Sequence, residues 1–224
     1  MDVREIDRVM EGYLQNREMA GGALLVRKDD EIFYDGKWGF TDLAARTPVT
    51  DDTIFRIASM TKIVTAVGIL KLMENGVLSL DDPLSKYLPE FSHMRVCADK
   101  RYEFHPGMSM ASLLPKLLFF RMDKVKTVPA DREITIRDLL SHASGLQQGV
   151  AGMMAMMKEN KNDTLEERIH AYGRYALDFQ PGTATSYSPC AAFDILGHLM
   201  GALTGKSPAE AYRELVFAPL DMKS

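Results

Sequence analysis

Residues 55–91 read FRIASMTKIVTAVGILKLMENGVLSLDDPLSKYLPEF, and this stretch decides the fold. A strongly apolar run begins near Ser59 and ends at Asn75-Gly76, which is a helix stop signal. Asp81-Asp82-Pro83 then opens a short helical turn, because proline is tolerated in a first turn. The pattern predicts a long helix, and its predicted buried face comprises the residues that recur at helical spacing, Ile63, Val64, Val67, Leu70 and Met73.

The chain before this stretch predicts a helix and a hairpin. Residues 2–16 have the spacing of an amphipathic helix. GALLVR (22–27) and EIFYDGKWGF (31–40) flank a polar tripeptide, Lys28-Asp29-Asp30, and predict two antiparallel strands. Residues 41–58 are predicted to form a loop.

The chain after this stretch is predicted to be mainly helical. Residues 92–133 mix charges with an apolar run and are predicted to be an insertion. The predicted helices are IRDLLSH after a Thr135 cap, residues 164–177, residues 193–203, and a last one that starts at the capping box Ser207-Pro208-Ala209-Glu210 and runs to about Phe217.

Composition places the chain among ordinary globular proteins. It has 224 residues, of which 46% are hydrophobic and 26% charged, so disordered, collagen-like and disulfide-scaffold classes are excluded. The net charge of −4 argues against nucleic-acid binding. No stretch reaches the ~18 apolar residues of a membrane span. The charged first 19 residues lack the apolar core of a signal peptide, so we expect a cytoplasmic protein.

Cysteine and histidine give no sign of a metal site. Cys97 and Cys190 form no C-x-x-C pair, which favours two buried thiols, although a single disulfide stays open. His142 is interpreted as structural. The methionines of 153–157 favour core or flexible filler over an acyl pocket. The five histidines that lack metal-ligand spacing are His93, His105, His142, His170 and His198.

The candidate chemistry lies in Ser59-Met60-Thr61-Lys62. Positions three apart on a helix are neighbours on one face, so the Ser59 and Lys62 side chains should meet. A serine hydroxyl becomes a nucleophile when a base takes its proton, and a lysine with a lowered pKa is one such base. The same spacing also fits a surface lysine on a helix that begins near a serine cap.

Context favours the catalytic interpretation, because segments in the same order resemble the serine β-lactamase and penicillin-binding-protein superfamily. The resemblance is closest to the class C β-lactamase, D-alanyl-D-alanine carboxypeptidase and esterase branch. It implies that Ser59 is the acylated nucleophile, that Lys62 is its proton partner, and that Tyr187 is the second acid/base group. The segments that carry it are 55–91, ITIRDLLSHASGL (134–146) and FQPGTATSYSPCAAFDILGHLMGALTGKSPAEAYRELVFAPLDM (179–222).

The resemblance also implies the architecture. It predicts an α+β fold of the β-lactamase/transpeptidase type, with a helical lobe beside an incomplete antiparallel sheet flanked by helices. Residues 1–58 would supply the first helix and hairpin of the α/β lobe. Residues 59–189 would form the mainly helical lobe with its insertion at about 92–133, and residues 190–224 would return to the α/β lobe.

The sequence departs from the family pattern in two places. Where the family has Tyr-x-Asn, this chain has Tyr187-Ser188-Pro189, and proline offers neither an amide side chain nor a backbone donor. The family's third motif, Lys or His, a small residue and Gly, is expected on a strand downstream of Tyr187 and does not occur there. Lys37-Trp38-Gly39 and His105-Pro106-Gly107 fit its letters but lie upstream.

These departures lead to the expectation of a C-terminally truncated family member with a two-stranded sheet remnant. An exposed strand edge invites pairing with a second copy or with a separate chain. The first functional hypothesis is a serine hydrolase that forms an acyl-enzyme on Ser59 from a small ester, a β-lactam or a D-alanyl peptide, without metal or cofactor. The alternative is an inactive remnant, or a binding or assembly module, of the same fold.

Overall fold

The structure is a computed structural model that describes residues 3–99, 108–119, 125–146 and 164–222. It divides into two compact units, Met1–Ile57 and Ala58–Ser224. The predicted division of the second unit at residue 189 stays a prediction. Among the described residues, no helix combines the length and apolar character that a membrane crossing requires.

The first unit is a helix followed by a small antiparallel sheet. Helix α1 (Val3–Gln15) precedes strands β1 (Gly21–Lys28), β2 (Glu31–Asp42) and β3 (Thr47–Pro48), which pair in that order. Asp29 and Asp30, with φ of 50° and 62°, form the left-handed turn between β1 and β2 that suits the twist of a hairpin. The predicted hairpin is therefore confirmed, but the expectation of two strands was wrong, since part of the 41–58 segment adds β3.

A carboxylate on α1 joins the helix to the sheet. Asp7 Oδ1 accepts a hydrogen bond of 2.5 Å from the Tyr34 hydroxyl and one of 3.1 Å from Trp38 Nε1, both on β2. Trp38 is buried. These bonds satisfy two aromatic polar groups that the packing removes from water.

The second unit is mainly helical. A 3₁₀ turn, Ala58–Met60, leads directly into helix α2, Thr61–Glu74, and further 3₁₀ turns follow at Leu84–Lys86 and Pro89–Phe91. The remaining elements of this unit are strand β4 (Arg95–Cys97), helix α3 (Met110–Leu118), strand β5 (Thr127–Pro129), and helices α4 (Ile136–Leu140), α5 (Leu165–Tyr172), α6 (Ala191–Thr204) and α7 (Pro208–Tyr212), which continues as a π turn over Arg213–Phe217.

Helix α2 buries a different face from the one its sequence predicted. Ile63 is 67% exposed, Val67 42% and Leu70 41%, so the predicted buried face was wrong. The helix carries apolar residues all around, and such a helix gives no periodic signal that selects one face. The residues that it buries are Thr65, Gly68, Ile69 and Leu72.

The buried face of α2 packs closely on α6. A Cβ added to Gly68 would lie 2.3 Å from Met200 Sδ, so glycine permits the two helices to approach. One turn earlier, Thr65 Oγ1 lies 2.7 Å from the Tyr212 hydroxyl on α7 and donates to Thr61 O. Helix α6 contributes Ile195, Leu196, Leu199 and Met200 to the core.

Strand β4, which lies in the predicted insertion at 92–133, forms hydrogen bonds with the segment that precedes Tyr187. Strands β4 and β5 pair antiparallel, and β4 also bonds to Leu177. Leu177 N donates to Arg95 O, and Cys97 N donates to Leu177 O, each at 2.7 Å. The segment that leads to Tyr187 is therefore held by β4 at Leu177.

Helix α4 begins with a buried carboxylate that binds an arginine. The Thr135 cap that the sequence predicted is present, and Asp138 completes it as a capping box. Arg132 Nη1 and Nη2 donate to Asp138 Oδ2 and Oδ1 at 2.6 and 2.9 Å. Burial alone would raise the pKa of Asp138, but the hydrogen bonds from Arg132 and Thr135 outweigh it and lower the pKa below its usual value.

We expect Asp138→Ala to lower the free energy of unfolding by about 2–4 kcal/mol, since it removes a cap and a bidentate charged contact. Because the pKa of Asp138 is lowered on folding, its stabilisation is present above the unfolded-state pKa of about 3.9 and is lost as the pH falls through the folded-state value. Urea unfolding at neutral and acidic pH measures both effects. The exposed Asp131→Ala is the control, and an equal loss in both variants at neutral pH would contradict the prediction.

Candidate active site

Ser59 and Lys62 lie at the beginning of α2. Ser59 belongs to the 3₁₀ turn and Lys62 is the second residue of the α-helix, and Lys62 Nζ donates to Ser59 Oγ at 3.3 Å. Ala58, directly before the serine, has φ of 45°. This left-handed conformation costs a residue other than glycine roughly 1–2 kcal/mol, so strain is held next to Ser59.

Tyr187 reaches the same oxygen from a distant part of the sequence. Its hydroxyl donates to Ser59 Oγ at 2.6 Å, and Lys62 Nζ lies 5.2 Å from the centre of its ring. The structure thus brings together all three residues that the sequence singled out. Tyr187 is 52% exposed, so a small molecule can reach the cluster.

The main chain of Pro189 supplies a partner for the lysine. Lys62 Nζ donates to Pro189 O at 2.8 Å. The proline has no amide side chain to offer in place of the family's asparagine, but a carbonyl oxygen accepts a hydrogen bond from an ammonium group equally well. The sequence carries no signal for this contact, because every residue has a carbonyl.

Backbone hydrogen bonds hold the segment that carries Tyr187. Asp178 N donates to Gly145 O and Gly182 N donates to Ala143 O, both at 2.8 Å. At Gly145, with φ of 77°, an added Cβ would lie 2.6 Å from Phe179 O. Gly145 therefore suits both the left-handed turn and the close approach of the two segments.

His142 makes further contacts with this segment that the sequence did not predict. Its carbonyl accepts from Ser186 N at 3.0 Å, and its ring Nδ1 accepts from Ser188 N at 3.1 Å. The ring centre lies 4.9 Å from that of Tyr187. The histidine follows α4 in the left-handed region, with φ of 57°, and its position after a helix end was the one available signal.

The electrostatics favour a phenol that ionises readily. The hydrogen bond with Ser59, and then the contact with Lys62, lower the pKa of Tyr187 below its usual value near 10. A lower pKa raises the fraction of phenolate at neutral pH, and a phenolate can take a proton from a serine hydroxyl. The cluster therefore has the parts of a nucleophile and its base.

The sequence also singled out other candidate residues, and the structure describes some of them. Lys37-Trp38-Gly39 lies in β2, where Lys37 forms ion pairs with Asp35 and Asp51 at 2.7 Å. His105-Pro106-Gly107 and the methionines of 153–157 lie outside the described residues. Cys97 and Cys190 are thiols and are partly buried. Within the part of the chain that the structure describes, no group of three or more His, Cys, Asp or Glu residues is placed to hold a metal ion.

Comparison with known proteins identifies the family. The family profile described as Beta-lactamase matches residues 6–224. The chain is 29% identical over 227 residues to the esterase EstB of Burkholderia gladioli, and the alignment covers 97% of this chain and 50% of that protein.

Solved structures share the fold. EstCE1, a hydrolase with promiscuous acyltransferase activity, matches with a TM-score of 0.75 at 23% identity, over 99% of this chain and 52% of that one. The octameric penicillin-binding protein homologue from Pyrococcus abyssi matches with a TM-score of 0.69 at 26% identity, over 100% of this chain and 44% of that one. The predicted β-lactamase/transpeptidase-like fold is confirmed, and the chain spans about half the length of these relatives.

We expect Lys62→Met to raise the pKa of Tyr187 toward about 10, because it removes a cation that favours the phenolate. The pKa can be measured by ¹³C NMR of labelled tyrosine, with the Tyr187 signal assigned from Tyr187→Phe. Lys71→Met is the matched control, since Lys71 lies on the same helix and pairs with Glu74 at 2.7 Å. If Tyr187 titrated in Lys62→Met as it does in the wild type, Lys62 could not be a cause of the lowered Tyr187 pKa.

Proposed function

The chain belongs to the Beta-lactamase family, and we propose that it is a serine hydrolase that forms an acyl-enzyme on Ser59. One observation carries the proposal: the Tyr187 hydroxyl and Lys62 Nζ converge on Ser59 Oγ, at 2.6 and 3.3 Å. A serine whose oxygen contacts both a phenol that can act as base and a lysine cation has the geometry of an activated nucleophile.

In the proposed reaction the ionised Tyr187 takes the proton from Ser59 as Oγ attacks the acyl carbonyl. The tetrahedral intermediate then collapses to the acyl-enzyme, and the protonated Tyr187 returns its proton to the leaving group. Lys62 stays charged, favours the phenolate and orients the Ser59 hydroxyl. A water molecule, deprotonated by the same phenolate, hydrolyses the acyl-enzyme and regenerates the serine.

The position of Ser59 at the beginning of a long helix supports this reaction. The first N–H groups of α2 and its dipole favour negative charge, and negative charge develops on the attacked carbonyl oxygen. The loss of one oxyanion-hole donor typically lowers the rate by about 10²–10³. We therefore expect measurable acylation even if the helix N–H groups stabilise the developing oxyanion only in part.

The proposed substrate is a small acyl compound, namely an ester, a β-lactam or a D-alanyl peptide. We favour an ester, for two reasons. The relative of highest similarity described above is named an esterase and is 29% identical. The half-exposed Tyr187 also leaves the reacting oxygen open to small substrates.

We expect the chain to be labelled by a fluorophosphonate or by a fluorescent penicillin, and Ser59→Ala to abolish the labelling because the attacking oxygen is lost. Gel fluorescence and intact mass spectrometry measure the adduct and its site. Ser79→Ala, an exposed serine in the same unit, is the control and should be labelled like the wild type.

Equal labelling of the wild type and Ser59→Ala would eliminate Ser59 as the nucleophile. Failure of every variant to react, with the fold intact by circular dichroism, would favour the alternative of a binding or assembly module.

We expect Pro189→Ala to retain the labelling rate within about fivefold, or 1 kcal/mol, because the contact with Lys62 uses the main-chain oxygen. Lys62→Met should lose about 10²–10⁴ in rate under the same conditions, because it removes the cation that favours the phenolate form of the general base Tyr187. Stopped-flow or timed gel labelling gives both rates. A loss in Pro189→Ala as large as that in Lys62→Met would show that the proline ring itself is required.

A further inference from the structure

We propose that His142 is the positioning residue for Tyr187. It acts on the tyrosine through two hydrogen bonds from main-chain amides, those of Ser186 and Ser188. The inference rests on the proposed function only for its kinetic test, because the geometry of the contacts can be tested without catalysis.

The contacts of His142 flank the tyrosine on both sides. Its carbonyl accepts from Ser186 N at 3.0 Å, one residue before Tyr187, and its Nδ1 accepts from Ser188 N at 3.1 Å, one residue after. Two hydrogen bonds, to amides two residues apart, fix both the position and the rotation of the backbone between them. That backbone carries the phenol whose oxygen lies 2.6 Å from Ser59 Oγ.

The backbone conformation of His142 makes this double contact possible. With φ of 57°, the residue lies in the left-handed region that ends α4, and there its carbonyl and its ring both turn toward the Tyr187 segment. The ring also packs against Phe193 of α6, with centres 5.3 Å apart. The imidazole is thus held between α6 and the segment that it supports.

The ring contact requires a neutral imidazole. Nδ1 accepts a hydrogen bond only when its lone pair is available. In a protonated ring the Nδ1–H group would face the N–H group of Ser188, and the hydrogen bond would be lost. Burial first, and the charge of Lys62 second, lower the pKa of His142 below 6.5. The groups that face the ring are Lys62 from α2, Tyr187 from its segment and the apolar Phe193.

Two variants separate the hydrogen bond from the backbone strain. His142→Gly removes the ring acceptor and suits a positive φ, so the turn itself stays unstrained. His142→Asn replaces Nδ1 with a side-chain oxygen that accepts a hydrogen bond, does not titrate and tolerates the left-handed region. The exposed His93→Asn is the control for the loss of an imidazole elsewhere.

The first measurement is the pKa of Tyr187 by ¹³C NMR, which needs no catalysis. We expect it to rise toward about 10 in His142→Gly, because the phenol leaves its place beside Ser59 and Lys62. It should stay lowered in His142→Asn and His93→Asn. The proposal is overturned if Tyr187 titrates as in the wild type in His142→Gly, or if a folded His142→Asn loses the lowered pKa.

The second measurement is the rate of acylation by a fluorophosphonate as a function of pH. We expect His142→Gly to acylate about 10²-fold more slowly, as for a misplaced catalytic group, with the probe concentration at half-saturation nearly unchanged. Protonation of the Tyr187 phenolate lowers the rate at acidic pH in every variant. The wild type and His93→Asn should show an additional loss as His142 is protonated below pH 6.5, whereas His142→Asn should show only the fall that Tyr187 causes. An equally steep acid limb in His142→Asn and the wild type would overturn the proposal.

The two readouts also separate this inference from the proposed function. If no variant reacts with the probe but the tyrosine titrations differ as expected, the positioning role stands and the proposed hydrolase activity fails. If labelling depends on Ser59 but the Tyr187 pKa is indifferent to residue 142, the activity stands and the positioning role fails.

Discussion

The close approach of α2 and α6 is the constraint on which the second unit depends. Gly68 lets Met200 pack against the backbone of α2, where a Cβ would lie 2.3 Å from the sulfur. Both helices begin near the cluster of Ser59, Lys62 and Tyr187: Ser59 lies just before α2, Lys62 is in its first turn, and Tyr187 and Pro189 lie just before α6. The contact between Gly68 and Met200 lies about two turns further along, so the depth of this packing sets the distance between the two helix beginnings. The same burial that stabilises the core therefore also determines the spacing of the cluster.

Other parts of the chain hold the segment 177–188, which carries Tyr187, in place. Between Leu177 and Ser188 the chain forms no helix or strand, yet its amides bond to the carbonyls of Arg95, Ala143 and His142. A Cβ at Gly182 would lie 2.0 Å from Arg132 Nη2, so the turn before Tyr187 packs on the arginine that binds Asp138. The capped beginning of α4 and the reactive cluster are thus parts of one connected arrangement.

The sequence predicted what depends on local patterns. The Thr135 cap, the capping box at Ser207, the hairpin and the serine–lysine contact each depend on a few neighbouring residues, and the structure contains each of them. It mispredicted the buried face of α2, because apolar residues surround that helix and only its partners decide which face is covered. It interpreted His142 as structural but missed its contacts, and it missed the contact of the Pro189 carbonyl with Lys62, because each uses a main-chain group to join residues far apart in the sequence.

The bond between Lys62 and the carbonyl of Pro189 has an evolutionary consequence. When a side chain holds a catalytic cation, substitution at that position breaks the site, and selection fixes the residue. Here the acceptor belongs to the peptide unit, which every amino acid provides, and the proline side chain is exposed. Many residue types could therefore replace the proline at position 189, and Lys62 would still donate to the main-chain oxygen there. The exposed side chain at this position can therefore change while the hydrogen bond that holds Lys62 is kept.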